Sequence, residues 1–173
     1  MIAELELPID LTDVAPGLRL RRASRADLDA LIALLAEDPI SASRGDTGDA
    51  SDRPAYAAAL DAIIRNDANE LIVVVGADDY PIGTLQLTRI PGMARQGASR
   101  LLVEAVRVAA HARSRGIGSA LMRWVMHTAA PELHTPMVQL TSDAARESAH
   151  RFYLRLGFTD SHVGFKYYAS AAR

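Results

Sequence analysis

Leu101-Leu102-Val103-Glu104-Ala105-Val106-Arg107-Val108-Ala109-Ala110-His111-Ala112-Arg113-Ser114-Arg115-Gly116-Ile117-Gly118-Ser119-Ala120-Leu121 is the stretch whose reading decides the fold. The β-branched run through Val108 predicts a strand, Arg113 to Gly118 a tight basic loop, and the apolar spacing from Ile117 onward a helix. A helix start leaves its first N–H groups without intrahelical partners and carries the positive end of the helix dipole, so it favours an anion. Gly116 and Gly118 let the main chain turn sharply and approach a ligand that a Cβ would hold off, while Arg113 and Arg115 add positive charge. A phosphate or pyrophosphate fits that combination.

Two common anion loops do not match. The dinucleotide fingerprint needs Gly or Ala three residues after the second glycine, where this chain has Leu121. The nucleotide P-loop ends in Gly-Lys-Ser/Thr, a tripeptide the chain lacks. What remains resembles the acyl-CoA loop of the GNAT family of N-acetyltransferases, Arg/Gln-x-x-Gly-x-Gly/Ala after a strand, matched by Arg113, Gly116 and Gly118. A second match follows at Ala149-His150-Arg151-Phe152-Tyr153-Leu154-Arg155-Leu156-Gly157-Phe158, similar to the family's closing helix pattern Ala-x-x-x-Tyr-x-x-x-Gly-Phe. The order and spacing of the two extend the resemblance over roughly residues 17 to 168, and Gln86-Leu87-Thr88 with Ser161 to Lys166 resemble a bacterial branch of small GNAT proteins.

Composition bounds the remaining possibilities. The chain has 173 residues, 49% of them hydrophobic, enough for one domain with its own core. With 19 basic and 21 acidic residues the formal charge is -2, so the broad basic field of a nucleic-acid binder is missing and no nucleic-acid partner is expected. No cysteine is present, which excludes a disulfide scaffold, a thiolate nucleophile and Cys-ligated metal. The N-terminus lacks a basic segment before an apolar run, and no run reaches membrane-spanning length, so no membrane partner and a cytoplasmic location are expected.

Residues 1–16 read as a leader that is loosely held, an added strand or a dimer arm, followed by a single domain over 17–173. Leu18 to Arg22 reads as a strand, Ser24 to Asp27 as a capping box, and Leu28, Leu31, Ile32 and Leu35 as the stripe of a first helix. Ala36 to Arg53 is a long polar connection, and Pro54 opens a second helix that Tyr56, Leu60, Ile63 and Ile64 mark and that ends near Asn66. Leu71 to Val75 and Ile82 to Ile90 form a hairpin. A helical face from Ile117 to Thr128, with Trp124 in the core, is stopped by Pro131. Met137 to Thr141 is a strand, a helix follows with Phe152 against the sheet and Gly157 as left-handed cap, and Thr159 to Tyr168 form a last pair of short strands. The resemblance implies an α/β GNAT fold, a central mixed and mostly antiparallel twisted sheet of six to seven strands with about four helices.

It also implies a chemistry. Acetyl-CoA would be the co-substrate, its pyrophosphate held by main-chain N–H groups from about Ser114 through Arg115, Gly116, Ile117 and Gly118 to Ser119, with the Arg113 and Arg115 side chains screening its charge. The strand segment Val106, Arg107 and Val108 would pair with the amides of the pantetheine arm as an exposed sheet edge pairs with another strand, a bulge in the family leaving those groups free. An amine must be neutral to attack, and Glu104 is the candidate base, expected by alternation to share a face with Leu102, Val106 and Val108. The alternative is a structural partner of Arg107 or Arg100, or an exposed carboxylate. Tyr153 matches the family tyrosine that serves the departing thiolate, the alternative being an ordinary hydrogen-bonded tyrosine. Many family members have asparagine where this chain has Arg146, which would instead reach a CoA phosphate, with Ser142 and Asp143 as nearby polar substitutes. Arg44, Gln86 and His162 are candidates to line the acceptor side, together with Asp46 and His150. The five histidines show no metal-ligand spacing, so no metal is expected. The expected activity is direct transfer of acetyl to a small-molecule or peptide amine, since no cysteine is there to carry the group. A non-catalytic acyl-CoA-binding module is the alternative, and a homodimer is compatible with the resemblance.

Overall fold

The computed structural model describes residues 2–11 and 16–169. Part of the leader (residues 1 and 12–15) and the end of the domain (170–173) lie outside the described residues. Two compact units emerge, Met1–Leu140 and Thr141–Arg173.

The first unit is a six-stranded sheet in the order β1 (Ile9–Asp10), β2 (Arg19–Arg22), β3 (Asn69–Val75), β4 (Pro81–Ile90), β5 (Arg100–Val108) and β6 (Val138–Leu140). All neighbours are antiparallel except β5 and β6, which run parallel. The leader therefore supplies an added strand, Ile9 opposite Leu20. Leu71, Val73 and Val75 put one face of β3 against α1 (Leu28–Ala36) and α3 (Arg53–Ile64), packing with Leu28, Leu31 and Leu60. The alternate residues Ile72, Val74, Leu85, Leu87, Leu101 and Val103 fill the opposite face, toward α5 (Ile117–Trp124). A Cβ added at Gly83 would lie 3.3 Å from the Arg107 carbonyl oxygen, its tightest neighbour, so the glycine gives room to the β5 backbone. Each such fully buried aliphatic side chain contributes about 1.5–3 kcal/mol. Trp124 is core, as its place on the helical face requires.

The capping box forms: Asp27 accepts the Ser24 N–H at 2.7 Å and also takes both Arg21 Nη groups at 2.8 Å. Burial alone would push the Asp27 carboxyl up, but the Arg21 and Ser24 hydrogen bonds more than offset it, and its pKa ends below the ordinary value. Between α1 and α3 the polar connection contains one helical turn, α2 (Pro39–Ala42), and a 3-10 turn over Ala50–Asp52. The connection before β5 holds α4 (Ala94–Gly97), a turn in which Arg95 and Gln96 are left-handed.

Two expectations are corrected. Pro131 does not stop the helix of α5, which widens to a π-type stretch over Val125–Ala129 and continues into α6 (Ala130–Glu132) with the proline in its first turn. Proline lacks the N–H that an α-helical turn would use, and the widened turn changes the pairing just ahead of it. In the second unit, α7 (Glu147–Arg155) ends at left-handed Gly157 (φ 95°), with Phe158 N–H reaching back to the Tyr153 carbonyl. The segment Thr159 to Tyr168 forms no strand, and every residue of it is exposed. Alternation fixes side-chain spacing, but a strand also needs a hydrogen-bonded partner. Within this unit Phe152 is half-buried and packs edge-on with Tyr153.

Candidate active site

Strand β5 is interrupted where it matters. Glu104 pairs with Gln86 and Arg107 with Thr84, so β5 spends one residue more than β4 over the same span, and Ala105 takes up the excess at φ 50°. Pairing with β6 is confined to Leu101, Leu102 and Val103. Beyond them β5 leaves its parallel neighbour and runs on against β4 alone. Ala109 N–H donates to Ile82 O at 2.9 Å, which turns the main-chain groups of Arg107 and Ala109 toward β4 and those of Val106 and Val108 the other way. Those outward carbonyls are met by guanidinium donors: Arg107 Nη1 reaches Val106 O at 2.8 Å and Arg113 Nε reaches Val108 O at 3.0 Å.

The same bulge corrects the alternation expected for Glu104. One inserted residue inverts the parity, so that Glu104 shares its face with Leu102, Gln86, Thr84 and Arg107, and not with Val106 or Val108. The Glu104 side chain is exposed, at the rim of the sheet rather than among apolar neighbours. On this face Gln86 Nε2 donates to Asn69 Oδ1 at 3.1 Å and Thr88 Oγ1 to the same oxygen at 2.7 Å. Asn69 and Thr88 are thus part of a polar patch with Gln86 and Glu104. Alternation from Gln86 points to Thr88, whereas Asn69 enters only through the β3–β4 register.

After β5, a 3-10 turn (Ala110–Ala112) leads to the basic loop. Ser114 is left-handed at φ 61° and Gly116 at φ 82°, and Gly116 is the N-cap of α5. Ala120 N–H closes the first helical bond on Gly116 O at 2.9 Å, leaving the N–H groups of Ile117, Gly118 and Ser119 at the open end of the helix with no side-chain cap. Arg113, Ser114, Arg115 and Gly116 are exposed, Gly118 and Ser119 half-buried, and Ile117 anchors the turn in the core. Unshielded amides, two residues without Cβ and two arginines fit a diphosphate.

Asp46 accepts the Tyr56 hydroxyl at 2.8 Å, a bond that pushes the tyrosine up to about 12, so Asp46 fastens its loop to α3, while Arg44 stands exposed on it. In the second unit, Arg146 is the N-cap of α7 and its N–H donates to Asp143 O at 2.9 Å. The same carbonyl accepts His150 Nε2 at 2.8 Å. Half-buried Tyr153 packs edge-on with Phe152 and Phe158, ring centroids 5.1 and 5.8 Å apart. His162 is exposed, its Nδ1 2.8 Å from Ser161 Oγ. Among the described residues no group of three His, Cys, Asp or Glu side chains is arranged to hold a metal ion. Among them, too, no helix is long and apolar enough to cross a membrane.

Known proteins were compared with this arrangement. The model of the acetyltransferase (GNAT) family matches residues 28–158. A transcriptional regulator from Bacillus halodurans C-125 is 35% identical and superposes with a TM-score of 0.80 over 88% of this chain and 99% of its own. A protein from Agrobacterium tumefaciens str. C58 (23% identity, TM-score 0.73, 87% and 99% covered) shares the fold. So does an acetyltransferase from Trypanosoma brucei (22% identity, TM-score 0.70, 88% and 99% covered). No curated protein matches the sequence. A family match spanning both the bulged strand with its left-handed loop and the closing helix makes this chain an acyltransferase of the GNAT family.

Proposed function

We propose that this protein is an N-acetyltransferase that passes an acetyl group from acetyl-CoA directly to an amine. The carrying observation is the run from bulged Ala105 to left-handed Gly116, which joins outward strand carbonyls to the unshielded amides of a helix start. Val106 and Val108 would take the amides of the pantetheine arm, and the N–H groups of Ile117, Gly118 and Ser119 with Arg113 and Arg115 the diphosphate. Acetyl-CoA supplies the activated thioester carbonyl. The chain has no cysteine to hold the group as a thioester, so the proposed step is direct: the amine attacks that carbonyl, loses its proton, and the CoA thiolate departs.

Glu104, exposed and opposite Gln86, would take the proton of the amine directly or through water. Gln86, Thr88 and Asn69 would orient the amine by hydrogen bonds, and Arg44 would border it from the 36–53 loop. Tyr153 would place its hydroxyl at the departing thiolate, in keeping with its match to the family tyrosine. Arg146 and His162 keep the roles the family resemblance implies, a phosphate contact and an acceptor contact. The proposed location is the cytoplasm.

The test is thiol release from acetyl-CoA with spermidine, an aminoglycoside, free amino acids and short peptides as acceptors. We expect turnover with at least one amine, reduced about 100-fold or more in Glu104→Gln and in Tyr153→Phe, the lower end of general acid–base contributions. Unchanged rates in both variants would remove those two residues from the reaction. The 35%-identical neighbour is described as a transcriptional regulator, which favours a second reading, a non-catalytic acyl-CoA-sensing module. Tight CoA binding without any acetylated product would select it.

A further inference from the structure

Ser41 and Arg107 lie 66 positions apart, yet Arg107 Nη2 donates to Ser41 Oγ at 2.6 Å while Nη1 holds Val106 O at 2.8 Å. Ser41 is only 3% exposed, one of few polar side chains so deeply covered. All three of its polar groups are engaged. Its N–H donates to Asp38 Oδ1 at 2.8 Å, its carbonyl accepts the N–H groups of Arg44 (2.9 Å) and Asp46 (3.1 Å), and its hydroxyl meets the guanidinium. A second tie runs from Ala110 N–H to Glu37 Oε2 at 2.8 Å. The turn around α2 is thus fastened to the end of β5 at two points.

Arg107 reaches Ser41 because of the bulge. Without the extra residue at Ala105, Arg107 would sit on the face opposite Glu104, and with it the guanidinium leaves the same face as Glu104 and Gln86. A carbonyl oxygen has two acceptor directions, so Val106 O can keep Arg107 and still accept an amide N–H. A forked guanidinium spans two acceptors, whereas an ammonium is a single point charge.

We infer that Arg107 is a positioning residue that sets the acceptor wall against the acetyl donor: it holds the Ser41 turn to the peptide unit that would carry the pantetheine arm. The inference deepens the acetyltransferase reading and rests on it for its kinetic consequence. Arg107 then acts on the amine through the 37–46 segment, and on the arm only by sharing Val106 O.

Two measurements on the full chain test it. In hydrogen exchange, Ser41→Ala and Arg107→Met are each expected to raise exchange over residues 38–46 about tenfold while β3 and β4 stay protected, the effect of losing a hydrogen bond to a charged group. Unchanged exchange in both variants overturns the inference, and Ser41→Ala serves if Arg107→Met fails to fold. In thiol-release kinetics with the best acceptor of the panel above, both variants are expected to raise the amine KM about tenfold and to leave CoA affinity by calorimetry within about threefold. The double variant is expected to lose no more than Arg107→Met alone, because the Ser41–Arg107 bond is absent in all three. Arg107→Lys is expected not to rescue. Additive losses, or an acetyl-CoA KM that rises as much as the amine KM, overturn it. A parent chain that acetylates no amine refutes the acetyltransferase reading instead, and the exchange arm still decides whether Arg107 holds the turn.

Discussion

Gly116 and Gly118 stand two residues apart, yet alanine at the two positions should act in opposite ways. Gly116 has φ 82°, where an L side chain meets the following carbonyl and costs about 1–2 kcal/mol. For a chain of this size, 1 kcal/mol moves the melting temperature by about 2–4 °C, so Gly116→Ala should melt about 2–8 °C lower. Gly118 lies inside the first turn of α5 and is not among the residues with positive φ. There alanine is the better helix former by up to about 1 kcal/mol, and Gly118→Ala should melt at the parent temperature or a few degrees above it. Binding should follow the same order. The pattern matched here accepts Gly or Ala at position 118, so Gly118→Ala should keep CoA affinity within about threefold, whereas a residue 116 pushed out of its left-handed conformation would misaim the amides proposed to grip the diphosphate, and loss of one hydrogen bond to a charged group corresponds to about 10- to 100-fold in CoA affinity. Differential scanning fluorimetry and calorimetry with CoA read the two quantities separately. A Gly116→Ala chain that folds and still binds CoA as the parent does would refute the diphosphate assignment.

Asp27→Asn should lower stability by about 2 kcal/mol at pH 7, less than for a wholly buried ion pair because Arg21 keeps Asp79 at 3.0 Å. The folded pKa of Asp27 is depressed, so its contribution is fully present above the unfolded value near 4 and disappears as pH falls through the lower folded value; melts of parent and variant should converge in that window, and curves that stay parallel would contradict it. Ala105→Gly should keep the bulge and the thiol-release rate, with stability within about 1 kcal/mol of the parent, because relief of the left-handed alanine is offset by the freer unfolded chain. Ala105→Val should lower both, since a β-branched residue resists φ 50°.

The elements with clear periodicity were legible before any coordinates. The β3 core run, the stripe of α1 and Trp124 all sit where their spacing puts them, because burial on a known face is what that spacing encodes. The turn before α5 is legible for a different reason: Gly116 advertises a left-handed backbone that other residues adopt only under strain. What stayed hidden involved residues that adopt an unadvertised conformation or meet a distant partner. Alanine is not a residue that marks φ 50°, so nothing at Ala105 announced that Glu104 and Arg107 would share a face. Ser41 looks like any serine in a polar loop until Arg107 arrives from another element. Tyr56 marks the second helix in the sequence, but that its hydroxyl fastens Asp46 is a bond between segments whose relative register no local pattern contains.

The bulge links three features that otherwise look independent. A strand paired on both sides has no main-chain groups to offer, so the outward carbonyls of Val106 and Val108 require β5 to part from β6 after Val103. Parting alone would expose an edge, a liability that β proteins limit by bulges and by charged side chains along the strand. Here Arg107 and Arg113 meet those carbonyls, and the bulge both bends the strand and aims Arg107 toward Ser41. One left-handed alanine therefore bends the strand where its edge opens, turns toward that edge the arginine that shields it, and ties the Ser41 turn to it. Loss of the bulge would disturb all three together, which explains why a conformation that costs free energy at Ala105 sits in the middle of an otherwise regular strand.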